Sequence, residues 1–297
     1  MRHAYLIMAH NEFDILEKLL RLLDDERNDL YIHIDKKVKD FPFEKFRAMV
    51  RHSGVFFTER FDVRWGDLSL TLCQLSMLRQ ATGIGYRYYH LLSGVDLPLK
   101  SNDAIHAFFA EHDGEEFVHF CTDEQTERMR FHVEYHHFRR LMRSPHALPR
   151  AAGYALTGVS RLGWRLGIRR RWEEGVRLAS GSNWCSITHA LASYIVEMEE
   201  WILDHFRLTC VSDELYIQTL VENSAFRQRL YRAEKDDNYL ANLRHIDWKR
   251  GNPYVFRSAD FDELMASPCF FARKFSTKVD GEIIDRIYAY FRKVEEA

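Results

Sequence analysis

The chain is poor in cysteine and proline, nearly balanced in charge and without a long apolar run, and each shortage closes off a class of protein. Its five cysteines (Cys73, Cys121, Cys185, Cys210 and Cys269) are odd in number, scattered and free of CxxC spacing. That argues against a disulfide framework and a structural zinc site, and favours a reducing compartment. A formal net charge of −2 provides no global basic field, so no nucleic-acid partner is expected. No run approaches the length needed to span a bilayer. The opening MRHAYLIMAHNEFD, broken by His10 and Asn11, reads as neither signal peptide nor anchor, which implies a cytoplasmic protein. With six prolines there is no Pro/Gly linker, and no internal repeat is visible. At 297 residues and 46% hydrophobic content, one large α/β domain is the simplest account.

Familiar motifs are missing too. No GxGxxG follows the first apolar run; Gly83-Ile84-Gly85 is too short to hold a dinucleotide pyrophosphate. There is no phosphate loop of the GxxxxGK[ST] type, no GxSxG elbow and no HExxH. His132, Glu134, His136 and His137 are metal-ligand types at a spacing that matches no common site. The single Asp-x-Asp string, Asp260-Phe261-Asp262, precedes a helix, and Asp260 with Glu263 fits a capping box. No metal is therefore expected, and any diphosphate must be neutralised by side-chain cations. Lys249 with Arg250, and Arg273 with Lys274, are the pairs available.

What is present is a rhythm. Strand-like runs at 4–9, 30–35, 55–57 and 86–94 alternate with helical spacing at 13–25, 43–52 and 69–81. This pattern predicts βαβ units and a largely parallel sheet with flanking helices. Ligands bind beyond the carboxyl ends of such strands, where His10, Asn11, Asp35, Lys36, Ser93 and Asp96 stand. Further on, 182–206 reads as a strand entering a long helix, 213–224 and 260–267 as helices, 254–256 as a strand and 281–295 as a final helix. Asp213 and Glu214 open one of those helices, either as caps or as a catalytic base. Between Arg139 and Arg171 lie nine arginines and no acidic residue. This is a solvated basic helix or a patch that rests on anionic lipid.

Taken in order, IHIDKK (32–37), WGDLSL (65–70), SGVDLPLKS (93–101), GSNWCSIT (181–188), SDEL (212–215), HIDW (245–248) and FFARKF (270–275) resemble the core-2/I-branching β-1,6-N-acetylglucosaminyltransferase family, glycosyltransferase family 14, which includes the peptide xylosyltransferases. The likeness covers 3–120 and 181–290; residues 125–180 are not matched to it. It implies a GT-A-like fold and an inverting, metal-independent transfer from a UDP-sugar, GlcNAc or xylose, to a glycan or lipid-linked glycan acceptor. No cofactor is implied. The resemblance places the catalytic base on Glu214, with Asp213 orienting a substrate hydroxyl. It places nucleotide contacts on His10 and Asp35, diphosphate contacts on Arg250 and Lys274, and the acceptor pocket on Gly181 and Ser182; Arg64 is a further candidate for the nucleotide, and Asp96 at its turn and the rings of Trp184 and Trp248 are candidates for the sugar by their own chemistry. Residues 1–120 would bind the nucleotide sugar, 121–180 form an Arg-rich helical insertion, and 181–297 supply the acceptor and catalytic part. Val211 before Ser212-Asp213-Glu214 departs from the Ser-Pro-Asp-Glu of the vertebrate branching enzymes, and Lys249 competes with Arg250 for its place. The same residues allow a non-catalytic UDP-sugar or glycan-binding protein. A nicotinamide oxidoreductase shares the βαβ rhythm but lacks its Gly-rich turn.

Overall fold

The computed structural model describes residues 2–170, 172–236 and 239–296. Its strands are β1 (His3–Ala9), β2 (Asn28–Ile34), β3 (Gly54–Phe57), β4 (Tyr88–Ser93), β5 (Leu97–Pro98), β6 (Ser186–Thr188), β7 (Arg244–Ile246) and β8 (Phe271–Arg273). They form a five-stranded sheet of order β3-β2-β1-β4-β6 and a three-stranded sheet of order β5-β8-β7. β1 to β4 are mutually parallel, and β6 runs antiparallel to β4.

Every residue of β1 and β2 is buried, as a parallel strand covered on both faces requires. Alternation sorts the side chains of β1. Tyr5, Ile7 and Ala9 pack with Leu16, Leu19 and Ile283 on one face. Ala4, Leu6 and Met8 pack with Leu75, Leu78 and Leu191 on the other. The first layer comes from helices Phe13–Leu22 and Gly281–Glu296, the second from Ser69–Thr82 and His189–Glu197.

The two sheets meet through Arg244, at the start of β7. Its side chain is 1% exposed. Nη2 donates to the Cys185 carbonyl (2.9 Å) and Ser186 Oγ (3.1 Å), and Nη1 to the Asn242 carbonyl (2.7 Å). Its guanidinium carbon also lies 4.7 Å from the centre of the Phe271 ring in β8. One planar cation thus joins β6, β7 and β8, a task its fixed fork of donors suits.

Some expected elements differ. The 182–206 stretch splits into β6, helix His189–Glu197 and helix Glu199–Phe206, broken at Met198. The 213–224 helix begins later, at Tyr216. Ser212–Glu214 form a separate 3-10 turn because Val211 takes a left-handed conformation (φ 51°) and Leu215 is extended in φ (−127°). Residues 254–256 join no strand, although Phe256 N–H donates to the Lys274 carbonyl (3.1 Å). Within 139–171 a helix spans Ala147–Arg165; Arg171 lies outside the described residues. Among the described residues no helix is long and apolar enough to cross a membrane.

Replacing Arg244 by Met keeps the volume but removes the donor from three buried acceptors. We expect a loss of about 2–4 kcal/mol of stability in urea unfolding. Undiminished stability would mean that the sheets are held by apolar packing alone.

Candidate active site

Parallel register brings the ends of β1, β2 and β4 to one edge, so His10, Asp35 and the 93–96 turn are neighbours there. Because β6 is antiparallel to β4, its entry residues Gly181–Trp184 reach that same edge. β5 pairs with β8 so that Leu97 faces Ala272, which sets Arg273 beside Asp96. A parallel strand, an antiparallel strand and a second sheet therefore deliver their polar residues to one place.

The carboxylate pair sits on the 3-10 turn. Asp213 is buried and accepts from Asn183 Nδ2 (3.2 Å). Burial pushes its pKa up to about 6, and the charge of Asp67 adds to the rise. Glu214 is partly exposed, and among the described residues its carboxylate has neither hydrogen-bond nor ion-pair partner. Desolvation, then the neighbouring Asp213, raises its pKa to about 7. The turn is tied to 181 by Gly181 N–H donating to the Glu214 carbonyl (2.9 Å). Only glycine fits at 181, since a Cβ there would lie 1.9 Å from the His119 carbonyl oxygen. Gln218 completes the clamp, its amide donating to the carbonyls of Ser182 (2.8 Å) and His119 (3.2 Å). The Ser182 hydroxyl accepts from Trp184 N–H (3.2 Å).

From Trp184 the site continues to the cations. The Arg273 guanidinium lies 4.3 Å from the Trp184 ring centre, and its Nε stands 3.7 Å from Asp96 Oδ1. Asp96 is 1% exposed; its Oδ2 accepts from Ser93 N–H (2.9 Å). Burial raises the Asp96 pKa and lowers that of Arg273, each partly offset by the other. Arg273 Nε and Asp96 Oδ1 are buried yet make no hydrogen bond. Such atoms sit where a polar ligand or water can complete them. Lys274, next in the chain, forms no ion pair among the described residues, and its charge helps hold down the pKa of His10. Loss of hydration is the larger cause of that shift, and Asp35 opposes it. Asp35 is 3% exposed and is met by Lys37, with N–H to Oδ1 2.8 Å and Nζ to Oδ2 3.2 Å.

Three expected contacts are placed otherwise. Arg250 donates to Asp247, to Asp260 Oδ1 (2.7 Å) and to both oxygens of Glu263 (2.9 Å each), so three carboxylates already meet its charge. The capping box expected of Asp260 and Glu263 is replaced by this network; Asp260 also accepts from Arg257 N–H (2.8 Å). Arg64 pairs with Asp62 (2.7 Å) at the rim of a cavity of about 440 Å³ that Phe61, Asp67, Phe138 and Leu141 also line. Trp248 is exposed and packs at 6.4 Å from Tyr239 rather than against the carboxylates. Of the metal-ligand types at 132–137, Glu134 accepts from Trp164 Nε1 (2.7 Å) and Arg169 (3.1 Å), while the buried Nδ1 atoms of His132 and His136 make no hydrogen bond among the described residues. Among the described residues no group of three His, Cys, Asp or Glu could hold a metal ion. Sequence reasoning passed over Asn183, Gln218 and Asp67, whose roles depend on contacts across 30 or more positions, and it noted Arg273 only as half of a basic pair.

Acid and base groups gathered with an unpaired lysine beyond the carboxyl ends of a parallel sheet mark a candidate site for an anionic ligand on an α/β fold. Comparison with known proteins narrows this. The model of the core-2/I-branching enzyme family matches residues 3–267. Human xylosyltransferase 2 is 25% identical over 96% of this chain and 33% of its own length. Human xylosyltransferase 1 is 23% identical over 98% of this chain and 30% of its own. The chain thus spans about a third of the length of the curated relatives it matches. Among solved structures, mouse xyloside xylosyltransferase 1 aligns over 91% of this chain and 96% of its own at 9% identity and a TM-score of 0.35, too low to carry an argument. The chain belongs to the core-2/I-branching enzyme family of glycosyltransferases.

Both Asp213 and Glu214 have folded pKa values above their ordinary 3.8 and 4.5. Their protonated forms favour folding, so this contribution is full below those ordinary values and is lost as pH rises through about 6 to 7. Glu214→Gln is accordingly expected to raise Tm relative to wild type at pH 8 but not at pH 4, readable by calorimetry. An equal difference at both pH values would place Glu214 in a solvated position.

Proposed function

We propose that the chain is an inverting glycosyltransferase that moves a sugar from a UDP-sugar to an acceptor hydroxyl without a divalent metal. The observation that carries this reading is Glu214, a partly exposed carboxylate with raised pKa and no partner, held by a glycine-dependent turn on the edge that also bears Arg273 and Lys274.

In-line displacement needs the acceptor hydroxyl to lose its proton as it attacks the anomeric carbon. Glu214, ionised, takes that proton, a contribution of about 10²–10⁴ in rate. A pKa near neutrality suits the task, because the base is both ionised in good part and strong enough to accept. UDP leaves from the opposite face with growing negative charge, and fixed cations stabilise it. Lys274 and Arg273 fill this role in preference to Arg250, whose charge is met within the protein. His10 and Asp35 face the nucleotide, and Asp96 with Trp184 faces the donor sugar. The 440 Å³ cavity lined by Asp67 and Thr209 is the space for a glycan or lipid-linked glycan acceptor, since Gly66, next to Asp67 in the chain, accepts from the N–H of Val211 (3.3 Å), three residues before the base. Xylose, the sugar in the names of both xylosyltransferase relatives, is the alternative to GlcNAc as the sugar moved.

The test is UDP release from a panel of UDP-sugars in EDTA. We expect donor-dependent release, reduced about 10²–10⁴-fold in Glu214→Gln and strongly in Lys274→Ala. A strict requirement for Mn²⁺ or Mg²⁺ would overturn the cation assignment. The acid limb of kcat/KM should fall near pH 7, with activity rising as Glu214 ionises. Asp213→Asn removes a neighbouring negative charge and should move that limb to lower pH. UDP binding without turnover for any donor and acceptor offered would leave the non-catalytic binding protein as the reading.

A further inference from the structure

Helix Ala147–Arg165 is turned inside out relative to an ordinary surface helix. Its inner face is small or polar. Gly153 lies so close to the 141–142 backbone that a Cβ would sit 2.5 Å from Met142 N, while Ser160 Oγ accepts from His136 N–H (2.8 Å) and Thr157 Oγ1 from Phe138 N–H (3.2 Å). Trp164 Nε1, on the same face, donates to Glu134. The opposite face carries Leu148, Ala152, Ala155, Val159, Leu162 and Leu166, at steps of four and three that line up one stripe of the helix. All six are exposed; Leu148 is 84%, Leu166 71% and Val159 70% accessible. A helix fastened by its polar side with its leucines in water is unfavourable unless something covers the stripe.

We propose that this helix lies in the headgroup region of an anionic lipid bilayer, with the Leu148–Leu166 stripe inserted and its arginines on the lipid phosphates. Three observations select that occupant. Arg150, Arg161 and Arg165 flank the stripe, exposed and without ion pairs among the described residues, and the whole 139–170 stretch contains no acidic side chain. This charge distribution complements an anionic surface. The helix is not long and apolar enough to cross a membrane, which leaves the plane of the interface. A second copy of the chain is a poor cover, because stripe-to-stripe contact would bring two arginine rows together with no carboxylate on either segment. The inference is independent of the catalytic reading, since it needs neither donor nor turnover.

The test is sedimentation of the full chain with phosphatidylcholine vesicles, with and without phosphatidylglycerol. Binding is expected to the anionic vesicles at low salt, reversed by high salt. The double variant Val159→Glu/Leu162→Glu should weaken it by about tenfold or more, and Arg150→Gln/Arg161→Gln/Arg165→Gln should abolish the preference for anionic lipid. Both sets lie on the solvent face, so circular dichroism and Tm should match wild type and show that the fold is intact. Absence of binding to anionic vesicles, or equal binding by the stripe variant, overturns the proposal. So does a lipid-free dimer that the stripe variant dissociates, which would make a second copy the cover.

Discussion

A single buried guanidinium sets the relation between the two sheets. Arg244 has no carboxylate partner within ion-pair distance among the described residues; its charge is met by carbonyl oxygens and a hydroxyl from β6 and the 242 turn, and by the face of Phe271. Burial lowers its pKa only to about 10, so it remains charged at neutral pH. The buried charge demands acceptors in fixed directions, which fixes β7 and β8 against the carboxyl end of β4 and the amino end of β6. Everything polar on that edge follows from this placement, because Trp184 precedes β6 and Arg273 ends β8.

The site itself is a balance of charges withheld from water. On one side Asp213 and Glu214 are kept close and poorly solvated, so neither ionises at its ordinary pH. On the other, Arg273 and Asp96 leave orphaned polar atoms, and Lys274 adds an uncompensated positive charge. Arg250 illustrates the alternative: three carboxylates saturate it, and it serves to lock the 247–263 loop. Two basic residues that look equivalent in the chain therefore carry different work, and the difference lies in their neighbours.

The 121–180 segment follows other rules than the central sheet. Elsewhere in the chain apolar stripes face inward, as in helix Phe13–Leu22, where Ile15, Leu16, Leu19, Leu20 and Leu22 are buried. In Ala147–Arg165 only Gly153 is buried. Backbone proximity at Gly153 and side-chain hydrogen bonds hold this helix, and hydrophobic burial contributes little.

Much of this was legible in the chain. Apolar runs with helical spacing between them specify a parallel α/β sheet, and the polar residues that stop those runs mark its polar edge, because periodicity and burial are local consequences of side-chain chemistry. His10, Asp35 and Asp96 could be picked out on that basis, and the ordered motifs singled out Glu214. The split of 182–206, the 3-10 turn under Glu214 and the loss of a strand at 254–256 were not legible, since each answers to a partner far along the chain. Arg250 and Arg273 were likewise indistinguishable as letters. Composition and periodicity by themselves determined the layers and the edge at which polar groups gather. Only the tertiary structure decided which charges are neutralised and which are left without a partner, because the energy of a charge depends on the groups within a few ångströms of it and on the water they exclude.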